Sequence, residues 1–144
     1  MNFEIMKPFG PSVVKTVIPK EIVSNMNLYV DEIIKDKKKL ENLNYGANLA
    51  GNVQQEFRLD VEFMKKNNWA EFLGKSCQKW LAEGHNISMK NFEIISSWIV
   101  RQFKNEYNPI HYHGGHISGV GYLKVPKDMG QTVQKNKKVQ LNGS

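Results

Sequence analysis

Long apolar runs and paired cysteines are absent from this chain of 144 residues, and each absence excludes a class of protein. No apolar stretch approaches the roughly 20 residues that a membrane-spanning helix needs, so no transmembrane segment is predicted. Residues 1–10 also lack the apolar stretch of a secretory signal. The single cysteine, Cys77, excludes an internal disulfide and fits a reducing compartment such as the cytoplasm. Its place among apolar residues at helical spacing indicates a small core side chain.

Arginine is also scarce, which bears on the net charge of +6. Only Arg58 and Arg101 are arginines among the 20 basic residues. Base readout and bidentate phosphate binding favour arginine, so specific nucleic-acid recognition is disfavoured. Most of the excess charge lies in a lysine cluster, residues 124–138, with five lysines and one acidic residue. Such a cluster is typical of a solvated loop or hairpin.

What the sequence does contain is typical of one globular domain over residues 1–144. Hydrophobic residues make up 40% and charged residues 24%, both near the averages for folded domains. Apolar residues at helical spacing predict one helix from Pro19 to about Leu40. They predict a second from Asn67 or Asn68 to a stop at Gly84.

Strands are predicted mainly in the second half of the chain. A β-branched run over residues 12–18 indicates one short strand before the first helix. Residues 92–103 are apolar on both faces, which predicts a central strand with Trp98 in the core. Residues 117–125 predict another strand, ended by Pro126. Helices followed by antiparallel strands indicate an α+β fold.

Three of the four histidines, His111, His113 and His116, lie within six residues. In a strand, residues i and i+2 project to the same face, so His111 and His113 can aim both imidazoles at one metal ion. A catalytic metal usually has three protein ligands, and the third has to come from elsewhere in the fold. His116 follows a Gly-Gly turn and is predicted to be a loop residue or a group that supports the ligands. The alternative is that this short H-x-H occurs by chance.

Residues 97–100, 108–113 and 117–126 together resemble the iron(II)/2-oxoglutarate-dependent oxygenases. The similarity is to a bacterial and phage branch with a strand tryptophan, an H-x-H and an SGV-x-YL strand. It implies helices packed on a double-stranded β-helix, or jelly roll. It also implies Fe(II), with 2-oxoglutarate and O2 as co-substrates.

The resemblance also implies roles for single residues. His111 matches the first metal-binding histidine, and His113 matches a position that is Asp or Glu in most of the superfamily. Tyr122 is a candidate for hydrogen bonding the co-substrate carboxylate, or else a half-buried strand residue. Arg101 is a second candidate for that carboxylate, or else pairs with an acid such as Glu93.

One departure from the superfamily pattern concerns the distal histidine ligand and the arginine that binds 2-oxoglutarate. No histidine or arginine follows Val125 in this sequence. We therefore expect these residues to be the N-terminal part of a longer oxygenase domain, inactive alone. The leading hypothesis is a dioxygenase acting on a small molecule or peptide that the sequence does not identify. The alternatives are a non-catalytic metal- or ligand-binding jelly roll and a basic nucleic-acid-associated protein.

Overall fold

A computed structural model describes residues 3–44, 53–108 and 110–126. These residues form four strands and four helices, in the order β1 (Phe3–Met6), β2 (Val13–Thr16), α1 (Lys20–Lys35), α2 (Lys37–Leu43), β3 (Gln55–Arg58), α3 (Val61–Lys66), α4 (Trp69–His85) and β4 (Trp98–Arg101). Most of the predicted lysine cluster lies outside the described residues. Within them, no helix has both the length and the apolar character needed to span a membrane.

The chain divides into two compact units. The first contains Met1–Met26 and Leu59–Ser96, and the second contains Asn27–Arg58 and Ser97–Ser144. The first unit includes β1, β2, α3 and α4, whereas the second includes α2, β3, β4 and the histidine pair. A single domain stays a prediction.

The first unit begins with a hairpin of β1 and β2, paired antiparallel with Phe3 opposite Thr16. The strand predicted over residues 12–18 is confirmed in part, and its partner β1 was not predicted. Gly10 lies in the connection with a φ of 106°, a conformation that favours glycine. Ser12 then ties this hairpin to α4, because its hydroxyl accepts a hydrogen bond of 2.9 Å from Trp80 Nε1 and also bonds His85.

The second predicted helix is confirmed as α4, but its end differs from the prediction. The helix runs one residue past Gly84, and Asn86 caps it in the left-handed conformation with a φ of 54°. Gly84 has a packing role instead, because a Cβ there would lie 3.3 Å from the Trp80 ring and 3.6 Å from Ile5. Asparagine tolerates the left-handed conformation, so it ends the helix in glycine's place.

The first predicted helix forms as two helices because Asp36 interrupts it. Asp36 adopts an extended conformation, and its carboxylate accepts hydrogen bonds from the amides of Lys38 at 3.0 Å and Lys39 at 3.2 Å. An aspartate that satisfies free amides in this way starts a new helix. The predicted apolar face of α1 is confirmed by its buried residues, which are Ile22, Met26, Val30 and Ile33.

The second unit is organised by the antiparallel pair of β3 and β4. Phe57 lies opposite Ile99, and Glu56 lies opposite Val100. Phe57 is fully buried in a cluster with Val30 and Ile33. Because successive strand residues point to opposite faces, Glu56 and Val100 belong to the other face of this pair. Only residues 98–101 of the strand predicted over 92–103 form a strand, and β3 was not predicted.

The described residues after β4 differ most from the sequence-based prediction. Residues 110–126 contain no strand, although strands were expected at the H-x-H and over residues 117–125. A strand requires a neighbour for its backbone hydrogen bonds, and no described segment pairs with this one. Helices combined with antiparallel strand pairs agree with an α+β composition, whereas the double-stranded β-helix stays a prediction.

Candidate metal centre

His111 and His113 are brought together on the irregular segment that follows β4. Their Nε2 atoms are 3.0 Å apart, and their rings are nearly perpendicular with centroids 4.6 Å apart. Both side chains are exposed. Gly115 turns the chain just beyond the pair with a φ of 103°, which agrees with the turn expected at Gly114-Gly115. The i, i+2 spacing therefore places the imidazoles side by side without a strand.

The distance between these two nitrogens fits adjacent ligands of one metal ion. Two nitrogens about 2.1 Å from a metal, at a right angle, are about 3.0 Å apart. The same distance allows an N–H···N hydrogen bond between the rings. Among the described residues, no three His, Cys, Asp or Glu side chains form a group that could hold a metal. The structure thus brings together two side chains whose kind and spacing suit metal ligands.

Trp98 supports the histidine pair from β4. Its ring centroid is 5.3 Å from that of His113, at an interplanar angle of 47°. The predicted core position of Trp98 is wrong, because its side chain is 38% exposed. The cause is strand alternation, since Ile99 faces the core and its neighbour Trp98 therefore faces away from it. The indole limits the orientations open to the His113 ring.

Glu56 is a buried carboxylate that sequence reasoning missed. It belongs to the same face of the β3–β4 pair as Trp98, yet it is only 6% exposed. Burial raises the pKa of its carboxyl above the ordinary value of 4.5, and attraction to His111 opposes part of this rise. In the sequence, Glu56 is a charged residue next to the apolar Phe57. Only the strand pairing shows which face of the sheet its side chain occupies.

Hydrogen bonds hold Glu56 in this place through the backbone. The Glu56 amide donates to Asn44 Oδ1 at 3.0 Å, and Asn44 Nδ2 donates to the Gln54 carbonyl at 2.8 Å. Asn44 also forms an isolated antiparallel bridge with Phe57. The end of α2 is thereby fixed to the start of β3, which sets the position of the carboxylate.

The raised pKa of Glu56 predicts how the stability of the metal-free protein depends on pH. A folded-state pKa above the unfolded value gives stability that is present below the unfolded pKa and is lost as the pH rises through the folded pKa. The free energy of unfolding of Glu56→Gln should therefore rise relative to that of the unchanged protein as the pH rises above the unfolded pKa of about 4.3. Urea denaturation at a series of pH values from about 4 upward measures the difference.

The matched control is Glu41→Gln, which removes the same charge from an exposed position of α2. The free energy of unfolding of Glu41→Gln should differ from that of the unchanged protein by a nearly constant amount over the same pH values. A Glu56→Gln curve parallel to that of the unchanged protein would contradict the assignment of a raised pKa.

The other predicted site residues lie apart from the histidine pair. Arg101 donates a hydrogen bond to Gln55 Oε1 and lies 5.0 Å from the centre of the Phe103 ring. Strand alternation places it on the face opposite Trp98. Tyr122 is 67% exposed, and His116 is exposed beyond the Gly115 turn. Among the described contacts, none joins Arg101, Tyr122 or His116 to the histidine pair.

Two other reactive side chains, those of Glu106 and Cys77, have structural roles in the fold. Glu106 accepts hydrogen bonds from the Gln54 amide at 3.2 Å and the Phe103 amide at 2.8 Å, so its carboxylate holds the turn after β4. Burial raises the pKa of the Cys77 thiol. A raised pKa disfavours the thiolate, which agrees with a packing role and not with a nucleophile.

Comparison with known proteins links the C-terminal third of the chain to a protein family. Residues 96–144, which are 49 of the 144 residues, match the family model described as "Putative 2OG-Fe(II) oxygenase". The matched segment includes Trp98, the histidine pair and Tyr122, so the resemblance noted from the sequence is confirmed there. No curated protein and no solved structure matches the chain significantly. At the coarse level that this match supports, the segment is similar to part of an oxygenase, an oxidoreductase.

Proposed function

We propose that this chain is part of an iron(II)- and 2-oxoglutarate-dependent dioxygenase and that it carries two ligands of the metal centre. The observation that supports this most is the 3.0 Å separation of His111 Nε2 and His113 Nε2 within the segment that matches the oxygenase family. Neutral imidazole nitrogens are common ligands of iron. Two such nitrogens at this spacing leave the remaining positions of the metal open.

When bound, iron would supply the redox chemistry that couples decarboxylation of 2-oxoglutarate to oxidation of a substrate C–H bond. The residues of this chain bind and orient the metal. His111 and His113 hold the metal, and Trp98 restricts the ring of His113. Their exposure leaves access for a co-substrate and a substrate from solvent.

The third ligand and the anchor for the distal carboxylate of 2-oxoglutarate are proposed to lie outside residues 1–144. In the family that the chain resembles, these are a histidine and an arginine on a late strand. No histidine or arginine follows Val125, and Arg101 is bonded to Gln55. Residues 1–144 would then be the N-terminal part of a jelly-roll oxygenase domain.

The proposal is tested by oxygen-dependent formation of succinate from 2-oxoglutarate with iron and ascorbate. We expect residues 1–144 to bind a divalent metal but to form no succinate above the metal-free background. A chain that continues through a strand with a histidine and an arginine should form succinate at a rate well above that background. The matched control is the same longer chain with His111 and His113 replaced by alanine, which should be inactive.

Turnover by residues 1–144 alone would show that the third ligand lies within them, and His116→Ala would then be the first variant to examine. The second candidate function is a metal-binding module without turnover. The presence of only two suitable ligands among the described residues favours it. Metal binding by both chains with succinate formed by neither would support that alternative.

A further inference from the structure

We propose that Ser12 and His85 form a nucleophile and its general base, and that Ser12 accepts the acyl group of a small activated ester. Both residues lie in the first compact unit, apart from the segment that carries the proposed metal centre. Ser12 immediately precedes β2, and His85 is the last residue of α4. The inference is therefore independent of the proposed dioxygenase function.

The first argument is the direction of the hydrogen bonds at Ser12. Its Oγ lies 2.5 Å from His85 Nε2 and 2.9 Å from Trp80 Nε1. An indole nitrogen can only donate, so the bond from Trp80 uses a lone pair of the serine oxygen. The hydroxyl hydrogen is then available to His85 Nε2, which accepts it in the neutral imidazole that carries its proton on Nδ1. A serine that donates to a histidine in this way can pass its proton to that base.

The second argument is the environment of the His85 ring. The Trp80 ring lies 5.7 Å from it, centroid to centroid, at an interplanar angle of 77°. This edge contact limits the orientations open to the imidazole and keeps Nε2 directed at Ser12. His85 is exposed, so a leaving alcohol can reach the ring and collect the proton. Trp80 thus orients both members of the pair, one through its N–H and the other through its ring.

The third argument concerns the size of the acyl group and the extent of the reaction. Ser12 is only 8% exposed, although residues 7–11 before it are exposed, so a small acyl group fits its oxygen better than a bulky one. Among the described residues, no carboxylate bonds the His85 ring, so the arrangement is a pair and not a triad. Loss of the carboxylate from a triad lowers turnover strongly. We therefore expect acylation of Ser12 without rapid release of the acyl group.

The proposed step transfers an acyl group from an ester to a serine. Ser12 Oγ attacks the carbonyl carbon of the ester while its proton passes to His85 Nε2. A bond forms between Oγ and the carbonyl carbon, and the bond from that carbon to the leaving oxygen breaks. The proton then passes from His85 to the leaving oxygen. The products are an O-acyl serine and an alcohol, and the step needs no oxidant or reductant.

The test is acetylation of the full chain by p-nitrophenyl acetate. Hydroxylamine removes acetyl groups from serine esters and leaves those on lysine amines, so peptide mass spectrometry before and after this treatment identifies the esters. Ser88 is the internal control, because it is an exposed serine outside the pair. General-base catalysis typically contributes at least about 100-fold, so Ser12 should be acetylated faster than Ser88 by about that factor. The longer p-nitrophenyl octanoate should acylate Ser12 more slowly than the acetate does.

His85→Gln separates the base from the structural tie between the hairpin and α4. The glutamine side-chain oxygen can still accept a hydrogen bond from Ser12, but an amide is not a base. The rate of acetylation at Ser12 should fall about 100-fold, whereas the urea midpoint should stay near that of the unchanged protein. His116→Ala is the matched control, since it removes an exposed histidine elsewhere and should leave the rate at Ser12 unchanged.

Acetylation of Ser12 no faster than that of Ser88 would overturn the proposal and would leave Ser12 as a structural tie only. This comparison is made within the unchanged protein, so it decides the question even if a variant fails to fold. An unchanged rate at Ser12 in folded His85→Gln would also overturn the proposal, and faster acylation by the octanoate would refute the preference for a small acyl group. Replacement of His111 and His113 by alanine should leave the rate at Ser12 unchanged, which separates this site from the metal centre.

Discussion

Replacing both His111 and His113 with alanine is expected to abolish metal binding by this chain. The two Nε2 atoms, 3.0 Å apart, are the proposed ligands that the structure brings together. Loss of a supporting group alone costs up to about 100-fold in affinity, and loss of both ligands should cost more. Metal content after dialysis against a known free concentration of iron(II), kept free of oxygen, measures the effect.

The fold of this double variant should be almost unchanged. Both histidines are exposed on an irregular segment, and exposed substitutions usually alter the free energy of unfolding by no more than about 0.5 kcal/mol. The matched control is His116→Ala, an exposed histidine of the same segment, which should retain the metal. Retention of iron by the double variant equal to that of the unchanged protein would refute the proposed site.

Replacing Phe57 with alanine is expected to produce the largest loss of stability. Its side chain is 0% exposed and packs in a buried cluster with Val30 and Ile33. Truncation of a buried phenylalanine typically costs about 3–5 kcal/mol, because transfer free energy is lost and a cavity remains. Since domains are stabilised by only about 5–15 kcal/mol, this loss should be visible as a large shift in the urea midpoint.

The control for Phe57 is Phe9→Ala, since Phe9 is 93% exposed. It should change the free energy of unfolding by no more than about 0.5 kcal/mol. Equal midpoints for the two variants would show that Phe57 does not anchor a core. Phe57 and Glu56 face opposite sides of β3, so the cavity left by Phe57→Ala lies on the face away from the Glu56 carboxylate.

The sequence alone determined the features that depend on neighbours along the chain. Apolar residues at helical spacing predicted α1 and α4, and a β-branched run predicted β2, since each pattern spans one element. The proximity of His111 and His113 was predictable too, because an i, i+2 spacing keeps two side chains close in any extended backbone. The resemblance to the oxygenases also came from contiguous motifs, and the family match confirms it.

Only the tertiary structure decided which side chains from distant segments meet. Glu56 shares a face with Val100 and Trp98 through the pairing of β3 with β4, two strands about 40 residues apart in sequence. The same register turned Trp98 out of the core and toward His113, and it placed Arg101 beside Gln55 on the opposite face. A strand has two faces, and a shift of one residue in pairing exchanges them, so no local pattern specifies the outcome.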